Sequence, residues 1–190
     1  MTTGHERKLI LLTGANGQVG FELARSLQGW GHVVALDRSG LDLADSEQIR
    51  RVVRELSPAL IVNAAAYTAV DAAESDVAAA MRLNAEAPDI LAQEAKRLGA
   101  LLVHYSTDYV FDGSKDGPYE EDDAANPLNV YGKSKFAGEQ AIAASGCAHL
   151  ILRTSWVYGA RGKNFLRTIL QLGAQPAEFR ACGSAGSQWP

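Results

Sequence analysis

Residues 9–20 read Leu-Ile-Leu-Leu-Thr-Gly-Ala-Asn-Gly-Gln-Val-Gly, a short apolar run followed by glycines at three-residue spacing. An apolar run that ends in glycines and continues as a helical pattern is typical of a buried strand in a parallel sheet. Glycines at such a turn let the backbone approach a pyrophosphate, which the N–H groups of the helix N-terminus then hold. The stretch predicts a dinucleotide-binding turn, although its spacing differs from the commoner Gly-x-Gly-x-x-Gly. A turn that serves only strand–helix packing is the alternative.

The next apolar run, His32–Leu36, ends at two charged residues. Asp37 follows the glycine turn by about twenty residues, where an acid accepts hydrogen bonds from the adenosine ribose hydroxyls and favours NAD. Arg38 offers a guanidinium that can pair with the 2′-phosphate of NADP. Because the two neighbours favour different cofactors, the sequence leaves NADH and NADPH both open.

Strand-like and helix-like patterns alternate along the rest of the chain. Further strands are expected at 60–62, 101–106 and 148–154, and helices at 19–27, 45–56, 70–98, 131–144 and 164–172. The helix at 70–98 is expected to break near Pro88. Residues 112–126 are polar and contain glycine and proline, which is typical of a loop. The alternation predicts an α/β fold with a doubly wound parallel sheet and right-handed crossovers.

Tyr131 and Lys135 stand four residues apart at the start of a predicted helix. Residues at this spacing share one helical face, so the phenol and the ammonium are expected to point into the same space. A nearby ammonium lowers the pKa of a tyrosine and makes it a usable general acid or base. Taken alone, two such residues at this spacing are usually just part of a solvated helix face. His104, inside the fourth strand, is expected to be a buried core histidine rather than a catalytic one.

The composition is that of an ordinary globular protein, with 190 residues, 47% hydrophobic and 21% charged. A net charge of -4 gives no reason to expect nucleic acid as a partner. No apolar run approaches the ~20 residues of a membrane span, and the polar N-terminus lacks a signal-peptide core, so a cytoplasmic protein is expected. Cys147 and Cys182 lie far apart, and two separate thiols are expected rather than a disulfide or zinc site.

Five motifs in order carry a resemblance to a known family. They lie at 13–20, 63–71, 106–113, 129–135 and 153–159. Together they resemble the extended short-chain dehydrogenase/reductase family over the stretch from Leu9 to about Leu172. Within that family, the last three motifs are most similar to the branch whose members reduce dTDP-4-dehydro-L-rhamnose.

The resemblance implies an oxidoreductase that reduces the C4 ketone of dTDP-4-dehydro-L-rhamnose to dTDP-L-rhamnose, a step of nucleotide-sugar and cell-surface polysaccharide biosynthesis. It implies that Tyr131 donates the proton to the ketone oxygen. It gives Lys135 two roles, lowering the pKa of Tyr131 and holding the nicotinamide ribose. Thr107 takes the position that hydrogen-bonds the ketone oxygen, and Asp108 and Trp156 match positions that line the sugar site.

The same resemblance implies NADPH or NADH as the cofactor, in a Rossmann-type NAD(P)-binding fold. The turn and the strand ends supply some expected cofactor contacts, and the family likeness supplies the others. These contacts are Gly14, Asn16, Gly17, Gln18, Val19, Gly20, Asp37, Arg38, Asp42, Leu43, Ala64, Ala65, Ala66, Tyr105, Tyr131 and Lys135. No metal ligand is assigned.

We expect residues 1–172 to form the NAD(P)-binding domain and residues 173–190, which lack periodicity, to form an irregular tail. Members of the resembled branch continue into a smaller domain that covers the nucleotide-sugar, so most of that domain is expected to be absent here. Two alternatives stay open: another nucleotide-sugar epimerase or dehydratase of the same superfamily, and a non-catalytic dinucleotide-binding or regulatory subunit. The sequence also leaves the oligomeric state open, a homodimer included.

Overall fold

The computed structural model describes residues 8–174 of the chain. The chain divides into two compact units, residues 1–155 and residues 156–190. The expected division into residues 1–172 and a tail at 173–190 stays a prediction, since residues 175–190 lie outside the described part.

A five-stranded sheet forms the centre of the first unit. Its strands are β1 (Leu9–Thr13), β2 (His32–Leu36), β3 (Leu60–Asn63), β4 (Leu101–Thr107) and β5 (His149–Thr154). The spatial order is β2-β1-β3-β4-β5, and every neighbouring pair is parallel. Two strands that follow each other in space but not in sequence leave a crevice at their carboxyl ends. In this sheet that crevice lies between β1 and β3.

Helices cover both faces of the sheet. The helices of the first unit are α1 (Gln18–Ser26), α2 (Ser46–Leu56), α3 (Val70–Ala73), α4 (Val77–Met81), α5 (Ala87–Leu98) and α6 (Val130–Ser145). On one face, Leu11, Ile61 and Leu102 of the sheet belong to a core that α2, α5 and α6 complete. On the other face, Leu12 and its strand neighbours pack against α1, including Leu23. Burial on both faces explains the uninterrupted apolar strands and confirms the doubly wound fold.

The segment from Val70 to Leu98 refines one expectation. It is interrupted near Pro88, as expected, but before that residue, which lies in the first turn of α5, where proline is tolerated. The interruptions lie earlier, at the turn between α3 and α4 and at the π-helical turn Arg82–Glu86. The wide turn is built around Asn84, whose side chain bonds both the backbone N–H and the carbonyl of Tyr67.

The connection from 112 to 129 contains no helix or strand, as its composition predicts. Stacked rings of Phe111 and Tyr119, with centroids 4.1 Å apart, hold this loop together. It ends at Asn129, whose side chain accepts a 2.7 Å hydrogen bond from the N–H of Gly132 and caps α6. The cap fixes where α6 begins, and therefore where Tyr131 lies.

The described part of the second unit, residues 156–174, contains the expected last helix, α7 (Phe165–Gly173). The side chain of Asn164 caps it by accepting from the N–H of Arg167 at 3.0 Å. Within residues 8–174, no helix is long and apolar enough to cross a membrane.

Candidate active site

The glycine turn closes over the crevice between β1 and β3. Gly14 has a φ of 71°, and a Cβ added to it would lie 2.8 Å from the backbone nitrogen of Ala65. Only glycine fits both the left-handed conformation and this close approach. The N–H of Gly17 bonds the carbonyl of Gly14 at 2.9 Å, and α1 begins at the following residue. The N-cap of α1 is Gly17, which has no side chain to cover the first turn. The N–H groups of that turn therefore face the crevice.

A cavity of about 230 Å³ adjoins this turn. It brings together predicted cofactor residues from the ends of β1, β2 and β3, with two leucines added. Its lining consists of Gly14, Arg38, Leu41, Asp42, Leu43, Ala65, Ala66 and Leu83. Small residues at the end of β3 leave this space open, and the donor groups around it fit the adenosine end of a dinucleotide.

Asp37 and Arg38 lie beside this cavity, and they differ in how far their side chains are already hydrogen-bonded within the protein. The carboxylate of Asp37 accepts from the N–H and the hydroxyl of Ser39, at 2.9 and 2.6 Å, and from the side chain of Asn16 at 2.7 Å. The hydroxyl of Ser39, with other donors, lowers the pKa of Asp37. The side chain of Arg38 is 84% exposed and lies 3.6 Å from Asp42. The acid is already held by its own turn, whereas the guanidinium is accessible to a ligand.

The second group of predicted residues lies where β4 ends and α6 begins. Thr107 donates to Asp108 at 3.1 Å and accepts from the N–H of Tyr109 at 3.2 Å. Its hydroxyl is also close enough to the phenol of Tyr131 to lower the pKa of that phenol. The ring of Tyr109 meets the ring of Tyr131 edge-on, with centroids 5.6 Å apart. The fold thus brings Thr107, Asp108 and Tyr131 together.

Lys135 is 1% exposed, and its ammonium nitrogen has two short contacts. Nζ lies 2.6 Å from the carbonyl oxygen of Tyr105 and 3.1 Å from Nε2 of His104. Burial lowers the pKa of Lys135 to about 8, and the nearby carboxylate of Glu139 acts in the opposite direction. Glu139 is in turn bound by Arg153, with Nη2 2.6 Å from Oε2.

The pKa of Tyr131 departs from the expectation. Burial raises it above 10.0, and Asp108 and Tyr109 raise it further, while the nearby hydroxyl of Thr107 lowers it. The expected lowering of this pKa by Lys135 is not seen, since the Lys135 nitrogen contacts Tyr105 and His104 instead, and the role of Lys135 toward Tyr131 stays a prediction. The phenol is therefore protonated at neutral pH and suited to donate.

His104 is fully buried, as expected for a core histidine. Burial, with Lys135 adding to it, holds the pKa of His104 well below 6.5, so the ring is neutral. Its Nδ1 lies 3.0 Å from Nδ2 of Asn63, a residue that the sequence reasoning did not assign to the site. The sequence did contain a signal for this contact, since Asn63 in β3 and His104 in β4 are polar residues within otherwise apolar strands.

A second pair of residues was missed in the same way. Asn84 donates to the hydroxyl of Ser134 at 3.0 Å, and that hydroxyl donates to the carbonyl of Tyr131 at 2.8 Å. Both side chains are fully buried. They join the loop after β3 to the first turn of α6, and so help to position Tyr131.

Trp156 belongs to the second unit, where its ring meets Phe165 edge-on at 5.4 Å. Its assignment to the sugar site stays a prediction. In the first unit, Asp108 borders a cavity of about 720 Å³ that Arg153 and Glu139 also line. Among residues 8–174, no group of three His, Cys, Asp or Glu side chains is placed to hold a metal ion. Cys147 is buried with a free thiol, and Cys182 lies outside the described residues.

Known proteins are similar to this chain in sequence and in fold. The pattern that defines the RmlD substrate binding domain matches residues 7–183. A dTDP-4-dehydrorhamnose reductase of Burkholderia thailandensis is 57% identical over 90% of the chain and 57% of the relative. Another, of Salmonella typhimurium, is 51% identical over 86% of the chain and 56% of the relative. The chain spans less than two thirds of the length of these relatives.

Solved structures give the same result. A Bacillus anthracis dTDP-4-dehydrorhamnose reductase, solved in complex with NADP, superimposes with a TM-score of 0.85 at 39% identity. That match covers 88% of this chain and 60% of the other. The Bordetella bronchiseptica enzyme WbmG, in complex with NAD, has a TM-score of 0.73 at 23% identity, over 85% of this chain and 57% of its own. The second likeness shows the fold alone.

Proposed function

The chain belongs to the RmlD substrate binding domain family, and on that premise we propose that it is a reductase of dTDP-4-dehydro-L-rhamnose. The proposed reaction turns the C4 ketone into the alcohol of dTDP-L-rhamnose with NADPH or NADH as the reductant. The observation that carries the proposal is the placement of Thr107, at the carboxyl end of β4, beside a half-buried, protonated Tyr131 on α6, with Lys135 one helical turn away.

Thr107 and Tyr131 supply two hydroxyl donors that a ketone oxygen can accept from together. As that oxygen gains negative charge, both hydrogen bonds strengthen, which is the form of stabilisation that accelerates a reaction. The raised pKa of Tyr131 keeps its proton in place until the oxygen becomes basic enough to take it. When bound, NAD(P)H supplies the hydride that reaches C4.

Lys135 is proposed to hold the nicotinamide ribose and, in its charged form, to stabilise the tyrosinate left after proton transfer. Its amino group lies against the carbonyl of Tyr105, another of the expected cofactor contacts. Asp108 and Trp156 are proposed to line the sugar site. Asp108 fits this role because it borders the 720 Å³ cavity and hydrogen-bonds Thr107.

The cofactor is proposed to bind along the glycine turn. The pyrophosphate would lie on the residues at the α1 N-terminus, and the adenosine in the 230 Å³ cavity beside Arg38. The larger set proposed to contact it is Gly14, Asn16, Gly17, Gln18, Val19, Gly20, Asp37, Arg38, Asp42, Leu43, Ala64, Ala65, Ala66, Tyr105, Tyr131 and Lys135. Because the carboxylate of Asp37 is already held by Ser39 and Asn16, while Arg38 is accessible, we propose that NADPH is accepted as well as NADH.

The proposed setting is the cytoplasm, with a dTDP-sugar as the small-molecule partner and no nucleic acid. A net charge of -4 supports the last point, since phosphate backbones bind basic surfaces. A homodimer is a further proposal, which the mass of the chain in solution would test.

Calorimetric titration of the 190-residue chain with NADPH and NADH, followed by dTDP and then by a turnover assay, tests the proposal. The Tyr131→Phe variant should bind cofactor as the parent does and lose product formation by about 10²–10⁴-fold, the usual contribution of a positioned general acid. Tyr158→Phe is the matched control, because it removes the phenol of an exposed side chain to which no role in the site is assigned.

Turnover by Tyr131→Phe at the parent rate would refute the assignment of the proton donor. Cofactor binding without dTDP binding or turnover would show that this chain supplies only the cofactor half of the site.

A further inference from the structure

Thr13, Asn63, His104 and Lys135 form a continuous buried chain of hydrogen bonds across three strands and α6. Thr13 Oγ1 lies 2.6 Å from Asn63 Oδ1, and Asn63 Nδ2 lies 3.0 Å from His104 Nδ1. His104 Nε2 lies 3.1 Å from Lys135 Nζ. Each of the four residues is at least 99% buried, so water does not provide alternative partners.

The direction of this chain follows from the backbone N–H of Ala65. That N–H can only donate, and it bonds Oδ1 of Asn63 at 3.3 Å. The amide oxygen of Asn63 therefore points toward Thr13 and Ala65, and its NH₂ group points at His104. Nδ1 of His104 must then be the acceptor.

A neutral imidazole carries one proton, so an accepting Nδ1 places that proton on Nε2. Nε2–H faces Lys135 and can donate only to an uncharged amine, because an ammonium has no lone pair. The arrangement as it stands therefore satisfies every group when Lys135 is neutral. Nζ still donates to the carbonyl of Tyr105 at 2.6 Å.

Charging Lys135 reverses the direction of the hydrogen bonds that join Lys135, His104, Asn63 and Thr13. The ammonium donates to Nε2, the ring proton moves to Nδ1, and Asn63 must rotate its amide so that Oδ1 accepts from Nδ1–H. Thr13 can follow, since a hydroxyl both donates and accepts. Ala65 cannot follow, and its N–H loses its partner at the point where it packs against Gly14.

We propose that His104 is a positioning residue that couples the charge of Lys135 to the cofactor-binding turn, through its tautomer and the orientation of Asn63. The catalytic meaning of this coupling rests on the proposed reductase function, but the coupling itself is a property of the free chain. Charging of Lys135 releases the Ala65 N–H beside Gly14, so the cofactor turn and the catalytic lysine respond to one proton.

Within residues 8–174, hydrogen-bonding and charged groups from three elements face Lys135. From β4 they are His104 and the carbonyl of Tyr105, and from α6 the carboxylate of Glu139, which Arg153 on β5 neutralises. The burial that lowers the pKa of Lys135 to about 8 places the reversal near that pH. His104 itself stays neutral on both sides of it.

The test is NMR of the full chain with ¹⁵N-histidine and ¹³Cε-lysine, recorded from pH 6 to 10. We expect His104 to carry its proton on Nδ1 at the low end and on Nε2 at the high end. Its exchange should share one midpoint with the Lys135 signal, near pH 8. Lys135→Met identifies that signal and should leave His104 in one tautomer throughout.

Asn63→Asp provides the sharper test, since either carboxylate oxygen accepts from Nδ1–H. It should fix His104 as the Nδ1–H tautomer and raise the Lys135 midpoint by about one unit or more. Asn84→Asp is the matched control: it makes the same change at a fully buried asparagine whose bonds run to Tyr67 and Ser134, and the exchange should persist.

A single His104 tautomer across the Lys135 titration in the parent chain overturns the proposal, as does an exchange that survives in Asn63→Asp. These readouts need no turnover. A chain that shows the coupled exchange but reduces no dTDP-sugar would leave this inference standing and count against the proposed function.

Discussion

The two halves of the ligand-facing edge are built from different groups. At the ends of β1 and β3, the site consists of backbone atoms and small side chains, with Gly14 packed against Ala65. At the end of β4 and the start of α6, it consists of buried polar side chains whose partners are distant in sequence, such as Asn84 with Ser134. The first half binds by shape, and the second half holds protons in defined places.

This difference determines what a mutation does. In the cofactor half, any added side-chain atom changes the site, whereas in the catalytic half the loss of a single hydroxyl or amide does. Two glycine substitutions, one in each half and each with a control, sharpen or break this contrast, and a further substitution lies outside both halves.

Gly14→Ala should have the largest effect on stability. A Cβ there meets Ala65 at 2.8 Å and must adopt a φ of 71°. Left-handed strain of about 1–2 kcal/mol and overpacking of about 1–3 kcal/mol predict a loss of about 2–5 kcal/mol in the free energy of unfolding. Urea denaturation of the variant measures it, and NADPH titration should show weakened binding.

Gly99→Ala is the control for Gly14→Ala. Gly99 has a φ of 65° at the end of α5, but an added Cβ meets nothing within 4 Å. It should therefore lose only the strain, about 1–2 kcal/mol. Equal losses in the two variants would show that close packing at Ala65 contributes nothing, and would remove the contrast.

Gly138→Ala tests whether the catalytic half also depends on close backbone packing. An added Cβ in the middle of α6 would run into the carbonyl oxygen of Asn84. Because this contact is very close, overpacking in the upper part of the usual range, about 2–3 kcal/mol, offset by about 1 kcal/mol of helix propensity, predicts a net loss of about 1–2 kcal/mol. Thermal unfolding measures it, with Gly29→Ala as a control at an unobstructed position.

An unchanged melting temperature in Gly138→Ala would mean that α6 can shift without cost, and that the polar bonds to Asn84 do not fix its position. A loss together with reduced turnover would instead extend the shape-based design of the cofactor half into the catalytic half.

Glu94 gives the smallest expected effect and lies outside both halves. It belongs to α5 and faces Arg54 on α2. It is buried and bound by Arg54 at 2.6 Å and by Arg97 at 2.7 Å. The hydrogen bond from Arg54, with Arg97 adding to it, lowers the pKa of Glu94 below 4.5 despite the burial. The ion pairs therefore stabilise the chain fully above about pH 4.5, and this contribution is lost as pH falls through the folded-state pKa.

Glu94→Gln should cost about 1 kcal/mol at pH 7, since both arginines are half exposed and keep water as a partner. Denaturation of parent and variant from pH 7 to pH 3 should show the difference shrinking with acid. A difference that does not depend on pH would mean that packing, rather than charge, accounts for it.

The sequence predicted the cofactor half well because the residues that form it lie close together in the sequence. Gly14 and the apolar run before it lie within one short stretch, and backbone geometry alone assigns such a turn. The strands, the parallel sheet and the start of α6 followed from the same kind of pattern. The strand order did not, since it depends on which strands meet in space.

The catalytic half was predicted in its residues but not in its electrostatics. Tyr131 and Lys135 were assigned to one helical face, yet the partner of Lys135 is His104, thirty-one residues away. Asn63 and Asn84 escaped notice because each contacts a residue some forty or more positions distant. Local spacing carries no record of such contacts.

The π-helical turn Arg82–Glu86 has a consequence in helical phase. It contains one residue more than a regular turn, and each residue advances a helix by about 100° around its axis. Deleting one residue there would leave a continuous α-helix but would rotate Asn84 away from Tyr67 and Ser134. The extra residue thus sets the angular register between the segment before it and α5. An alignment with a relative that lacks this residue must leave a gap at this turn, or it would misplace the amide of Asn84 that helps to position α6.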